Sequence, residues 1–229
     1  MGNAYDCDVV IDLEFTPVPG GAGPGRPAAE IIEVGAVMLA PDGSVAGEFS
    51  RMVRPTFANG PSHEVRMLTG IRGRDLACAA TLDEALAALA AWIGPRRARM
   101  VAWSASDRRQ VERECAAKGV ADPLPGRWLD AQRLYPRLAG VRRRRKVALS
   151  EAAAWVGADG DCAPAHRSLA DARATAEVFL AMRTGELASS RDRVRAEVRR
   201  TPEPLASSLS ERCTGLAGLL ERLRAEEAA

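Results

Sequence analysis

Four acids and one histidine have types and spacings that suggest chemistry. Asp12 and Glu14 lie in the segment VVIDLEFT, one residue apart at the end of an apolar run. Residues i and i+2 of a strand share a face, so the two carboxylates project together and each raises the pKa of the other. Asp107 follows the apolar stretch MVAW, and His166 and Asp171 flank the start of a helical segment in HRSLAD. In an open α/β sheet, strand ends and adjoining helix starts collect at one edge, which brings these residues together. A group of carboxylates suits a hard cation such as Mg²⁺, bound by a few carboxylates, water and substrate phosphate. Two such ions, about 3.5–4 Å apart, clamp the attacking and leaving oxygens of a phosphodiester. Imidazole suits a general base near neutral pH. Each residue alone has a plainer role: a D-x-E is common by chance, Asp107 complements a helix dipole, and Asp171 is a cap partner for Ser168. The ordered combination carries the reading.

The elements that must position them follow from the pattern. Residues 7–14 read as a strand, 30–39 (EIIEVGAVML) as a second and 45–53 as a third, with Pro41, Asp42 and Gly43 turning between the last two. Residues 17–28 (PVPGGAGPGRPA) read as a mobile Pro/Gly connection. They lack the Lys-Ser/Thr ending of a phosphate-binding P-loop. Thr81 and Glu84 form a capping box that opens a helix through ALAALAAWI. Residues 100–103 make a short buried strand, Asp107 opens a helix ending at Gly119, and 128–130 make a short strand leading to a helix through Leu138. Residues 148–156 and 168–182 complete the helices. This order predicts an α/β fold with a mixed sheet of five strands flanked by helices. From residue 185 the chain becomes charged, and Leu216, Leu219, Leu220 and Leu223 fall at helical spacing. The expected organisation is a domain over 1–184 and a helical extension over 185–229 that docks on the domain or pairs with a second chain.

Composition narrows the function. With 32 basic and 30 acidic residues in 229, there is no global nucleic-acid signature, so any basic footprint is local. No apolar stretch spans a bilayer, and the polar MGNAYDCD start does not resemble a signal peptide. Five cysteines without a C-x-x-C argue against disulfides or a cysteine zinc site and for a reduced, cytoplasmic protein. His63 and His166 are the only histidines, which excludes a multi-histidine metal centre.

The ordered motifs resemble the DEDDh, or DnaQ-like, 3′–5′ exonucleases, which have a ribonuclease-H-like fold. Asp12-Leu-Glu14 matches their D-x-E strand motif, Asp107 their second acid, and His166 to Asp171 their H-x-x-x-x-D. The smaller signature L-T-G-I appears as Leu68 to Ile71, and the resemblance covers residues 7 to about 183. IDLEFT, EIIEVGAV and the Trp before Asp107 look most like the branch that includes histone-mRNA exonuclease. One departure is W-S-A-S-D, where that branch more often carries a Gly and an aromatic residue. The resemblance implies that Asp12, Glu14, Asp107 and Asp171 hold two Mg²⁺ or Mn²⁺ ions and that His166 activates water. It implies removal of nucleoside 5′-monophosphates from the 3′ end of single-stranded nucleic acid, RNA favoured over DNA. It also points to Phe15 and Thr16 as contacts of the terminal nucleotide and to Met67 and Leu68 as a wedge against the terminal base.

Trp103 is a candidate base-stacking residue, although a strand end also suits a core residue. Arg108, Arg109 and Arg167 lie beside site positions and are candidate phosphate contacts, as is the run RRRRK at 142–146. His63 reads as a surface loop residue. Two rival functions remain open: a hydrolase of dinucleotides or very short oligomers, and a nucleic-acid-binding scaffold without turnover.

Overall fold

The computed structural model describes residues 5–23, 25–139, 146–158, 166–185 and 187. Five strands, β1 (Cys7–Pro17), β2 (Ala29–Leu39), β3 (Val45–Met52), β4 (Ala98–Ala102) and β5 (Trp128–Asp130), form one sheet in the order β3-β2-β1-β4-β5. β1, β2 and β3 are antiparallel neighbours, whereas β4 runs parallel to β1 and β5 parallel to β4. The helices are α1 (His63–Thr69), α2 (Gly73–Leu76), α3 (Leu82–Ile93), α4 (Ala105–Lys118), α5 (Ala131–Leu138), α6 (Leu149–Val156) and α7 (Ser168–Thr184). This is the expected mixed five-stranded α/β architecture. The extension from 188 onward and the arginines at 142–145 lie outside the described residues.

Alternation along β1 divides the core. Cys7, Val9, Ile11 and Leu13 pack with Leu86 and Leu89 of α3 and with Val111 of α4. Val10 faces the other way, with Tyr135 of α5, Ala152 of α6 and Ala176 and Phe179 of α7. Period-two geometry therefore turns Asp12 and Glu14 toward the α7 side. The small side chains of α7 let it sit close to the sheet, and α6 packs on α7.

Several expectations change. β1 runs on to Pro17 instead of ending at the acids, because its pairing with β2 continues through Pro17↔Ala29. The described residues of the Pro/Gly segment are paired rather than loose: the Val18 N–H donates to the Ala28 carbonyl, and Arg26 lies over the Phe57 ring at 5.4 Å. His63 begins α1 rather than lying in a loop; Ser62 caps that short helix by accepting the Val65 N–H at 3.3 Å. The capping box at Thr81 forms as read, with Glu84 accepting the Thr81 N–H at 2.8 Å. The cap at Ser168 does not: Ser168 is inside α7, whose N-cap is Arg167. Asp171 instead accepts a hydrogen bond from the His166 main chain.

Candidate active site

The carboxylate pair sits where the sheet is stepped. β1 pairs with β2 along its whole length but with β4 only as far as Val10↔Val101. Asp12 and Glu14 therefore overhang the end of β4, at the point where the chain turns through Ser104 into α4. A β-bulge falls between Glu14 and Phe15, since Glu14 pairs with Glu33 but Phe15 with Ile31. The bulge flips the facing of β2, so that Ile31 and Val34 lie on the same side, and it is the kind of irregularity that re-aims side chains at a site.

Three elements deliver the remaining groups. In α4, Ser104 caps the helix start by accepting the Ser106 N–H, and the Ser106 hydroxyl donates to the Asp107 carboxylate at 3.2 Å. Asp107 is 5% exposed. Burial pushes its pKa up to about 6, against the pull of its own main chain, the Ser106 hydroxyl and the Leu13 main chain. In α7, Asp171 lies in the first turn, and His166 precedes the helix with φ 68°, a left-handed conformation uncommon for a residue with a side chain. Gly35 of β2 makes the close approach of α7 feasible. A Cβ there would lie 2.2 Å from the Leu169 nitrogen. Because Gly35 is the register partner of Asp12, the helix start is seated beside the carboxylate pair.

Glu14, exposed His166 and Asp171 each bring one potential ligand atom within 4.8 Å of one another. Asp12 and Asp107 are not in that threesome but share its field. Burial raises the Asp12 pKa well above the ordinary carboxylate range, followed by repulsion from Asp107, Asp171, Glu14 and Glu33. Glu14 is pushed up to about 7 by burial and then by Asp171, Glu33 and Asp107, with Arg167 opposing. Asp171 is raised by burial and drawn back by His166. The five residues read from the sequence thus gather at one sheet edge. Their donor set fits a divalent cation: half-buried and buried carboxylates that repel each other and that Arg167 and His166 only partly offset.

Glu33 was not among the residues picked out by sequence. It is buried, and its carboxylate accepts from Arg167 (Nε at 3.1 and 3.0 Å, a terminal nitrogen at 2.5 Å) and from the Ser168 N–H at 3.0 Å. This clamp fixes the two residues after His166. The available signals were the second acid of EIIEVG and a glycine within a strand.

The expected substrate contacts divide. Met67 and Leu68 are 70% and 56% exposed on α1. Phe15 is half-buried against the α3–α4 side of the core. Thr16 is fully buried, and its hydroxyl accepts the Ser62 N–H at 2.9 Å, so its side chain anchors α1. Trp103 is a core residue and not a stacking platform: it is buried edge-on against Tyr135, with ring centroids 5.6 Å apart. Arg167 is committed to Glu33. Arg108 pairs with Glu112 and Asp122 and lies over Trp128, whereas Arg109 is exposed. Asp130, which caps α5, adds a further negative charge near Asp107.

No curated protein matches the chain by sequence. Among solved structures, it is similar to the nuclease domain of 3′hExo, a DEDDh family member bound to rAMP, with 22% identity, TM-score 0.68, and coverage of 80% of this chain and 94% of the other. It is also similar to a 3′-exonuclease that recognises the histone mRNA stem-loop, with 20% identity, TM-score 0.69, and coverage of 80% and 84%. E. coli Exonuclease I in complex with a dT13 oligonucleotide shares the fold at 14% identity and TM-score 0.58, with 80% of this chain covering 43% of that one. The profile of the exonuclease family RNase_T matches residues 9–179, the span that contains all five site residues. The chain belongs to this exonuclease family and has the ribonuclease-H-like fold of the DEDDh 3′–5′ exonucleases.

Proposed function

We propose that this protein is a divalent-metal-dependent 3′–5′ exonuclease that releases nucleoside 5′-monophosphates from single-stranded nucleic acid, with RNA preferred to DNA. The observation that carries the reading is the convergence of Asp12, Glu14, Asp107, His166 and Asp171 on the overhang of β1. Asp12, Glu14, Asp107 and Asp171 would hold two Mg²⁺ or Mn²⁺ ions. Such ions, when bound, polarise the scissile phosphate and stabilise charge on the attacking and leaving oxygens. The chain's own residues set up the rest. His166 stands exposed at the mouth of the cluster, where its ring can take the proton of the attacking water. The Glu33–Arg167 clamp and the close seat on Gly35 hold the main chain beside it. Met67 and Leu68 offer apolar surface against the terminal base. The free thiols of Cys7, Cys78 and Cys115 suit a reduced, cytoplasmic setting, and self-association through the 185–229 extension belongs to the same proposal.

Matched single-stranded RNA and DNA oligonucleotides, incubated with Mg²⁺ and analysed for products by chromatography, test this reading. Nucleoside 5′-monophosphates released faster from RNA are expected. Nucleoside 3′-phosphates or a faster DNA reaction would overturn it in part, and inertness toward both polymers would overturn it entirely. Calorimetric titration with Mn²⁺ should give two ions per chain; a single ion would contradict the two-ion reading.

A further inference from the structure

Beside the site lies a basic groove that the cleavage chemistry does not use. One cleft, about 490 Å³, is lined by Arg66, Met67, Gly70, Arg72 and Gly73. A second, about 160 Å³, is lined in part by Arg54, Gly60 and Gly73. Gly73 lines both, so the two clefts adjoin at the α1–α2 turn and together make a groove. Its charge is only partly compensated, with Glu84 within electrostatic reach of Arg54. Among the described residues, neither Arg54 nor Arg72 has a side-chain ion pair, and the Arg66 guanidinium meets only the His63 ring, at 3.1 Å. Asp75 accepts the Arg72 main-chain N–H at 2.8 Å and lies 3.8 Å from Arg74. The floor is open: a Cβ on Gly70 or Gly73 would meet nothing within 4 Å.

The groove is also tied to the catalytic edge. Its lip, α1, starts at Ser62, whose N–H is held by Thr16 two residues beyond Glu14. A helix of 7 residues rises only about 10 Å, so the groove begins close to where the wedge residues stand. Asp75 on α2 lies within electrostatic reach of Arg167, which follows His166. Guanidinium groups that make no ion pair, over an open glycine floor, suit an extended chain of phosphates better than a small molecule.

We propose that this groove carries the phosphate backbone of the nucleotides immediately upstream of the one being cleaved, with Arg54 and Arg72 as phosphate contacts, making a polynucleotide the preferred substrate over a dinucleotide. The proposal rests on the nuclease reading above. It selects between two substrate classes that the catalytic residues alone cannot distinguish.

Two variants test it without touching the catalytic cluster: the double substitution Arg54→Gln/Arg72→Gln, and Gly73→Glu. The latter puts a negative charge on the groove floor at the first position of α2, where an acid suits the helix start. Binding of a labelled single-stranded oligonucleotide is followed by anisotropy in EDTA across a salt series, and kcat and KM are measured in Mg²⁺ for that oligonucleotide and for a dinucleotide. Each lost phosphate contact should lower the salt slope by about 0.7, hence about 1.4 for the double variant, with affinity about tenfold weaker at physiological salt. KM for the oligonucleotide should rise in both variants, while dinucleotide turnover stays unchanged. Unchanged binding and KM in both variants would overturn the proposal, as would a wild type that cleaves dinucleotide and oligonucleotide with equal kcat/KM. If the wild type cleaves neither, the nuclease reading fails by itself, and the EDTA binding series still decides whether the groove holds phosphates.

Discussion

Asp107→Asn should stabilise the metal-free protein while inactivating it. Asp107 is buried, and burial lifts its pKa from the ordinary 3.8 to about 6. At about 1.36 kcal/mol per unit, this corresponds to about 3 kcal/mol held against the ionised form. A folded-state pKa above the unfolded one means that the folded chain binds the proton more tightly. The stabilisation from this group is therefore full below about pH 3.8 and is lost as pH rises through about 6. Asparagine removes the charge and keeps a carbonyl oxygen for the Ser106 hydroxyl and the Leu13 main chain. Its new amide protons lack a partner there, which costs about 1 kcal/mol. The expected net gain is about 2 kcal/mol at pH 8 in EDTA, or about 4–8 °C in Tm for a domain of this size. At pH 4.5, where the wild-type carboxyl is already protonated, the gain should vanish. Calorimetric melting of both proteins at the two pH values checks this. Equal stability at pH 8, or the same gain at both pH values, would refute the claim that burial of Asp107 opposes its ionised form.

Further outcomes follow from the same geometry. Wild-type Tm in EDTA should rise on adding Mn²⁺ or Mg²⁺, by mass action on the folded state, and the rise should be much smaller in Asp107→Asn; equal shifts in melting experiments would separate Asp107 from the metal site. His166→Ala should lower kcat by roughly 10²–10⁴-fold with the melting temperature little changed, because the side chain is exposed; single-turnover rates measure it. Gly35→Ala places a Cβ 2.2 Å from the Leu169 nitrogen, so α7 must shift, with a loss of about 1–3 kcal/mol by denaturant titration and weaker Mn²⁺ binding. Glu33→Gln should cost about 1.5–3 kcal/mol through lost charge-assisted hydrogen bonds to Arg167 and lower kcat more than it raises KM; an unchanged kcat would separate the clamp from His166.

The chemistry-bearing residues were legible in sequence because each stands at a strand end or helix start, and such positions follow from local pattern. Asp12 and Glu14 are on one face because strand geometry leaves no alternative. Asp107 and Asp171 lie in first helical turns marked by polar residues after apolar runs. What was not legible depends on pairing between distant segments. Glu33 reaches the site only because a bulge resets β2 against β1, and no periodicity in EIIEVGAV announces that reset. The value of Gly35 lies in the helix packed on it, 134 residues along in the chain at Leu169. The short helices α1 and α2 escaped notice because 7 and 4 residues carry too little amphipathic pattern. The Pro/Gly segment looked loose, yet β-hairpin pairing and the Arg26–Phe57 contact order it. Trp103 was ambiguous between core and base stacking, and the aromatic contact with Tyr135 decides for the core.

The central claim is that carboxylates around Asp12 bind the metal that drives hydrolysis from the 3′ end. The most direct measurement uses 5′-end-labelled single-stranded oligonucleotides, with free or blocked 3′ ends, resolved on a gel in the presence of Mg²⁺, Mn²⁺ or EDTA. Wild type is compared with a folded Asp12→Ala variant. A ladder shortening from the free 3′ end, abolished by EDTA, by the 3′ block and by Asp12→Ala, is the predicted result. Shortening that survives EDTA or the substitution, or that removes the 5′ label first, would contradict the account.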